Sequence, residues 1–148
     1  MSAVLAQPEV AVQREVLQRV FDRYHAAWEA KDPDAIVALH TEDSTFALRG
    51  GGDRVRGRAA LRQRFAQVFL DFPGYRAEVD RLLLGDGHWV LEWTMVVDLP
   101  AVDGGAFTAR IALVDVVDVD AAGLVTRKDV WVDGAQQAAA YRRAGRTP

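Results

Sequence analysis

No cysteine occurs in the 148 residues. Its absence removes a disulfide framework, a thiol nucleophile and any cysteine-ligated zinc. Histidine is nearly as scarce, and His25, His40 and His88 are not spaced as a ligand set, so no metal site is expected. The glycine-rich segment Arg49-Gly50-Gly51-Gly52-Asp53 lacks the lysine that a phosphate-binding loop requires, and no nucleotide or other cofactor is expected. No apolar run is long enough to span a membrane. The N-terminal stretch lacks a basic segment followed by an apolar one, so no signal peptide is expected and the cytoplasm is the expected compartment. A formal net charge of -3 argues against a nucleic-acid surface. Internal repeats and low-complexity tracts are absent as well.

What remains is one domain's worth of chain, half of it apolar. Residues 1–9 read as a leader, 10–141 as a single domain and 142–148 as a basic tail. Leu17, Val20, Phe21, Tyr24 and Trp28 recur at helical spacing within Val10–Ala30. A buried tyrosine hydroxyl needs a partner, so Tyr24 faces either a structural bond or a pocket. Asp32 can cap a second, short helix over Asp34–His40, with Pro33 at its first position. Ser44–Leu48 reads as a brief strand, and Arg58–Asp71 as a helix with Leu61, Phe65, Val68 and Phe69 inward. Arg54, Arg56, Arg58, Arg62 and Arg64 gather around the start of that helix, either as a solvated face or as the frame of an anionic ligand site.

Strands follow at Tyr75–Leu84, His88–Leu99, Phe107–Val119 and Leu124–Val132, joined by hairpin turns and a loop, with a short helix over Ala135–Tyr141. Trp89, Leu91, Trp93, Met95, Val97 and Leu99 share one face of their strand. On the next strand Phe107, Ala109, Ile111, Leu113, Val117 and Val119 do the same, and Asp115 interrupts them. A carboxylate on an apolar face must be protonated, paired or bordering a cavity. Asp129 lies nearby on the returning strand, although Val130 and Val132 have the opposite parity; a bulge after Gly123 would bring it inward. One acid on an apolar strand with a second close by suits acid–base chemistry, and a structural role for Asp115 is the alternative. Helices followed by strands define an α+β layout. The expected form is a curved antiparallel sheet with three helices on one face, enclosing a conical cavity in the manner of a cystatin-like α+β barrel.

That order of elements, with VFDRYHAAWEAKDPDAIVALHTEDSTF near the start and GLVTRKDVW near the end, resembles the nuclear transport factor 2-like superfamily. Within it the chain is most similar to SnoaL-like polyketide cyclases and ketosteroid isomerases. The isomerase resemblance implies that Tyr24 and a protonated Asp115 stabilise an enolate oxygen; an isomerase acid held neutral in this way is an established example. Leu48 stands where the isomerase base would be, and a leucine takes no proton. The cyclase and epoxide hydrolase resemblance implies an essential Asp129, but no arginine precedes Asp98 on its strand as the hydrolase pattern requires. The resulting expectation is a cofactor-independent isomerase or cyclase for a hydrophobic carbonyl compound, with Tyr24, Asp115 and Asp129 catalytic. Trp28, Leu48, Phe65, Trp93, Leu113 and Trp131 would contact the ligand. A non-catalytic ligand-binding or structural domain, an epoxide hydrolase and a protein adaptor are the alternatives. Val90, Val96, Ala112, Val114 and Val116 lie on the opposite sheet face and predict a two-fold homodimer.

Overall fold

A computed structural model describes residues 2–147, with side chains from Arg14 onward. Helix α1 (Ser2–Glu29) reaches back through the stretch read as a leader. Its apolar stripe buries Leu17, Phe21 and Tyr24. The helix ends in an unusual way. Lys31 sits at φ 53°, the one positive-φ residue other than glycine among the described residues. This left-handed position after a helix favours glycine or asparagine, and a lysine there costs on the order of 1 kcal/mol. Asp32 then accepts from the Ala35 N–H and caps α2 (Pro33–Val37). The second helix is shorter than the spacing predicts, because the chain turns at Ala38 and Leu39 and His40 opens strand β1 (His40–Leu48). A two-residue strand β2 (Val55–Arg56) was not anticipated, being too short to show alternation.

Helix α3 (Arg58–Asp71) and strands β3 (Arg76–Leu84), β4 (His88–Pro100), β5 (Ala106–Val119) and β6 (Val125–Val132) follow the sequence expectation closely. Helix α4 (Gly134–Ala144) ends the described fold, capped by Asp133 accepting from the Gln136 N–H. The six strands form one curved, unclosed sheet in the order β2-β1-β6-β5-β4-β3. Every pairing is antiparallel except β1 with β6, which is parallel. The all-antiparallel expectation is corrected at that one seam, where two segments remote in sequence meet. The inner face of β4 and β5 is the predicted one: Trp89, Leu91, Met95, Val97, Leu99, Phe107, Ala109, Ile111 and Val117 are all buried.

Two packed clusters fill the concave side. One joins Leu17, Phe21, Tyr24, Ile36, Leu61, Phe65 and Trp89. The other joins Phe72, Tyr75, Met95, Val97, Phe107 and Ala140. Residues from both line a cavity between them, so the cavity is the gap that two incompletely merged cores leave under the helices.

The convex face carries Leu83, Val90, Val114, Val116 and Trp131, beside the surface ion pairs Arg81–Glu92 and Arg110–Glu78. Val96, expected in this patch, is already covered within the chain, with Arg76 and Arg110 as its cross-strand neighbours. We propose that two copies pair through the remaining apolar strip, centred on Val114 and the 43% exposed Trp131. Light scattering at micromolar concentration should give the mass of a dimer, and Val114→Arg should shift it to the monomer. A wild-type monomer would reject the interface.

Candidate active site

The cavity, about 440 Å³ in volume, lies within the size range of small-molecule sites. Its wall is largely aromatic, with Phe21, Tyr24, Trp28, Phe46, Tyr75 and Trp93 among the lining residues. Polar groups are few, and most of those inside gather around Asp115. This side chain is 4% exposed and sits on β5 opposite Leu91 and Val130. Its diagonal neighbours on the same face are Trp93 of β4 and Lys128 of β6, close enough for long side chains to reach it. The Trp93 indole N–H donates to Oδ1 at 2.9 Å, and the Lys128 ammonium stands 3.3 Å from Oδ2. Both neighbours can only donate, so both carboxylate oxygens accept. Asp115 is therefore the anion of an ion pair rather than a neutral donor. The isomerase-like expectation of a protonated Asp115 is corrected: a buried cation two residues along the face takes the place of protonation.

Lys128 is 6% exposed and lines the cavity. Its Nζ lies 4.3 Å from the Trp28 ring centre and 5.0 Å from that of Tyr24. Burial opposes its charge, but Tyr24 and Asp115 more than compensate and raise its pKa above the ordinary lysine value. The ammonium has three protons and one carboxylate partner, which leaves donor capacity toward the cavity. Sequence reasoning missed this residue, although its parity with Val130 and Val132 was a readable signal.

Tyr24 takes the pocket side of its expected alternatives and also makes a structural bond. Its hydroxyl lies 2.9 Å from His40 Nε2, and His40 Nδ1 lies 2.8 Å from Ser44 Oγ. His40 is fully buried, and burial, followed by the Lys128 and Arg58 charges, lowers its pKa to about 3. The ring is thus neutral at pH 7, with one nitrogen donating and one accepting. In the Nε2–H tautomer the Tyr24 hydroxyl accepts from His40 and is free to donate into the cavity. Burial first of all raises the Tyr24 pKa, and Lys128 works against that. The Trp28 indole nitrogen is buried and close to the Tyr24 hydroxyl, but it has no hydrogen-bond partner among the described residues. It has no surface open to the cavity.

Of the expected contact residues, Trp28, Leu48, Trp93 and Leu113 line the cavity. Phe65 does not; it is wholly buried, packed edge-on against Trp28 and Phe46 as part of the floor beneath. Trp131 does not either, because its parity puts it on the convex face, where Arg49 lies over its ring. Asp129 is the larger correction. The strand does shift register between Val125 and Arg127, yet Asp129 still faces Val116 on the convex side of the sheet. There Arg54 grips both carboxylate oxygens at 2.8 and 2.9 Å, and Arg127 adds a bond at 2.8 Å. Burial alone would raise its pKa; the two guanidinium groups overcome this and hold it at about 2. Asp129 is a sheet-bracing anion that cannot reach a ligand in the cavity.

The curved, unclosed sheet around a largely apolar cavity matches the cone fold of nuclear transport factor 2-like proteins. The SnoaL-like domain family matches residues 21–128, and the chain belongs to that family. No curated protein is matched by the sequence. Among solved structures, a protein assigned as a SnoaL-like polyketide cyclase from Shewanella denitrificans OS-217 superposes with a TM-score of 0.73 at 13% identity, over 85% of this chain and 96% of its own. The epoxide hydrolase/cyclase-like enzyme SalBIII, of pyran ring formation in the polyether salinomycin, gives 0.67 at 21% identity over 81% and 92%. A protein assigned as a ketosteroid isomerase, from Kribbella flavida DSM 17836, gives 0.63 at 22% identity over 81% and 79%. At these identities the likeness is one of fold.

Two outcomes follow from the buried charges. Asp115→Asn or Lys128→Met alone strands an unpaired buried charge and should cost about 3 kcal/mol or more in urea unfolding, whereas the double variant should recover most of it. Additive losses would show that the two groups are not coupled. Acid sensitivity is the second. The unfolded state takes up a proton at His40 near pH 6.5, while the folded state does not until about 3. Stability present above 6.5 should therefore fall by about 1.4 kcal/mol for each pH unit below it. Asp129 adds a further loss as pH drops from 3.8 toward 2. His40→Gln should flatten the upper part of the profile and Asp129→Asn the lower; unchanged slopes would refute the assignment.

Proposed function

We propose that this SnoaL-like domain is a cofactor-independent acid–base enzyme of the isomerase or cyclase type, acting on a hydrophobic carbonyl compound. The observation that carries this reading is the ion pair of Asp115 and Lys128 set inside an aromatic cavity. A carbonyl oxygen placed there would meet the Lys128 ammonium, with the Tyr24 hydroxyl beside it. Asp115, oriented by the Trp93 bond, then takes the proton from the adjacent carbon. The C–H electron pair moves into the new carbon–carbon double bond, and the carbonyl π pair moves onto oxygen as an enolate. Lys128 stabilises that charge in a site largely screened from water. Return of the proton from Asp115 to another carbon completes an isomerisation; attack of the enolate carbon on a second carbonyl opens its π bond to an alkoxide, which takes the proton from Asp115 and completes a cyclisation. His40 and Ser44 hold the Tyr24 hydroxyl in place throughout.

The reading is tested by exchange of α-hydrogens for deuterium in cyclic aromatic ketones, followed by NMR. Wild-type protein should accelerate exchange, and Lys128→Met or Asp115→Asn should reduce it by about 100-fold or more. The paired Asp115→Asn, Lys128→Met variant, whose fold should be recovered, should be equally inactive. Exchange that survives in the paired variant would place the chemistry elsewhere.

A further inference from the structure

Seven arginines of this protein are held by oxygen acceptors. Arg54, Arg62, Arg81, Arg110 and Arg127 bond carboxylates, and Arg56 and Arg58 bond backbone carbonyl oxygens. Two cations on the cavity lining behave differently. Lys31 and Arg64 have no carboxylate partner among the described residues; they lie over the rings of Tyr75 and Phe46, at 4.6 and 5.6 Å. One acid lines the cavity near its solvent edge, Glu29, with His25 at 2.8 Å, and it offsets only one of these two charges. Lys128 and Asp115 neutralise each other deeper in. The lining therefore carries surplus positive charge in a protein whose net charge is -3, and low-dielectric walls concentrate such a field.

Lys31 has a second peculiarity that does not depend on charge. It occupies the left-handed backbone position at the end of α1 that glycine would fill without strain. Strain retained at a cavity edge is a mark of a side chain needed there. The ammonium it delivers is held over an aromatic ring that itself belongs to the cavity wall.

We propose that the ligand is an amphiphilic anion, a hydrophobic carbonyl compound that also bears a carboxylate, with the carboxylate taken by Lys31 and the field strengthened by Arg64. The proposal rests on the acid–base reading for the position of the carbonyl end and adds a subsite at the partly exposed Lys31, over the Tyr75 ring. Arg76 also borders the cavity, but it pairs across the sheet with Val96 and shares the convex-face parity, so it takes no part.

A matched pair of probes separates the two ends. Both 2-naphthol and 6-hydroxy-2-naphthoate present a hydroxyl to the Lys128 region, and only the second carries a carboxylate. Calorimetric titration of the wild-type chain should show the naphthoate binding on the order of tenfold tighter. Raising salt from about 0.05 to about 0.5 M should shrink the difference. Lys31→Gly should abolish most of the preference without lowering the melting temperature, since glycine suits that backbone; Arg64→Gln should reduce it less. Equal affinities, or a preference that survives Lys31→Gly, would overturn the anionic subsite, and Lys128-dependent naphthol binding would still stand for the acid–base reading. A carboxylate preference together with 2-naphthol affinity that is unchanged in Lys128→Met would support the subsite while removing that reading. Binding of neither probe would overturn both.

Discussion

The contact between Asp115 and Lys128 sets the terms for the rest of the interior. Two opposite charges are buried on the concave face of a sheet whose other inward side chains are nearly all apolar. Neither can be removed from water alone at a tolerable cost, so each requires the other. Their position in the sheet makes this possible, because diagonal neighbours on one face of antiparallel strands lie within reach of a lysine. Trp93, the diagonal neighbour on the other side, uses its indole N–H to satisfy the remaining carboxylate oxygen. A three-strand polar motif thus sits in an aromatic wall, and close packing around it stops short, leaving a cavity.

The sheet separates charges by face. Lys128 and Asp129 are consecutive, yet one serves the cavity and the other braces the convex side through Arg54 and Arg127. That separation also explains why the essential acid suggested by cyclase and epoxide hydrolase resemblance is not in reach of a ligand here. The same strand position, read one residue earlier, supplies a cation to the cavity. In the proposed function, an interior built on Lys128, Tyr24 and Asp115 would stabilise negative charge on a bound oxygen, which suits enolate chemistry better than epoxide opening by an Arg–Asp pair.

Tyr24 illustrates how a helix and a strand share one site. The α1 stripe points it inward, and the early start of β1 brings His40 under it, with Ser44 four residues further along the strand. Because His40 is neutral and bonded on both ring nitrogens, it fixes the hydroxyl without adding charge beside Lys128. A charged imidazolium in that place would repel the ammonium and undo the central pair.

Periodicity was enough to determine the helices α1 and α3, the long strands, the inward faces of β4 and β5, and the placement of Tyr24 and Asp115 in the interior. These follow from local geometry, since side chains alternate along a strand and recur every three to four residues on a helix. The interior position of Lys128 was equally legible by parity, but a lysine reads as a solvated residue until a buried partner is known. Other decisions depended on segments remote in sequence. The parallel seam of β1 and β6, the bond from His40 to Tyr24, the Arg54 clamp on Asp129 and the displacement of Phe65 and Trp131 from the cavity wall arise only when those segments meet. Sequence gives the direction in which each side chain leaves its own strand or helix. Only the packing of elements against one another decides which charge it finds there, and that decides whether an acid is a donor, a partner or a brace.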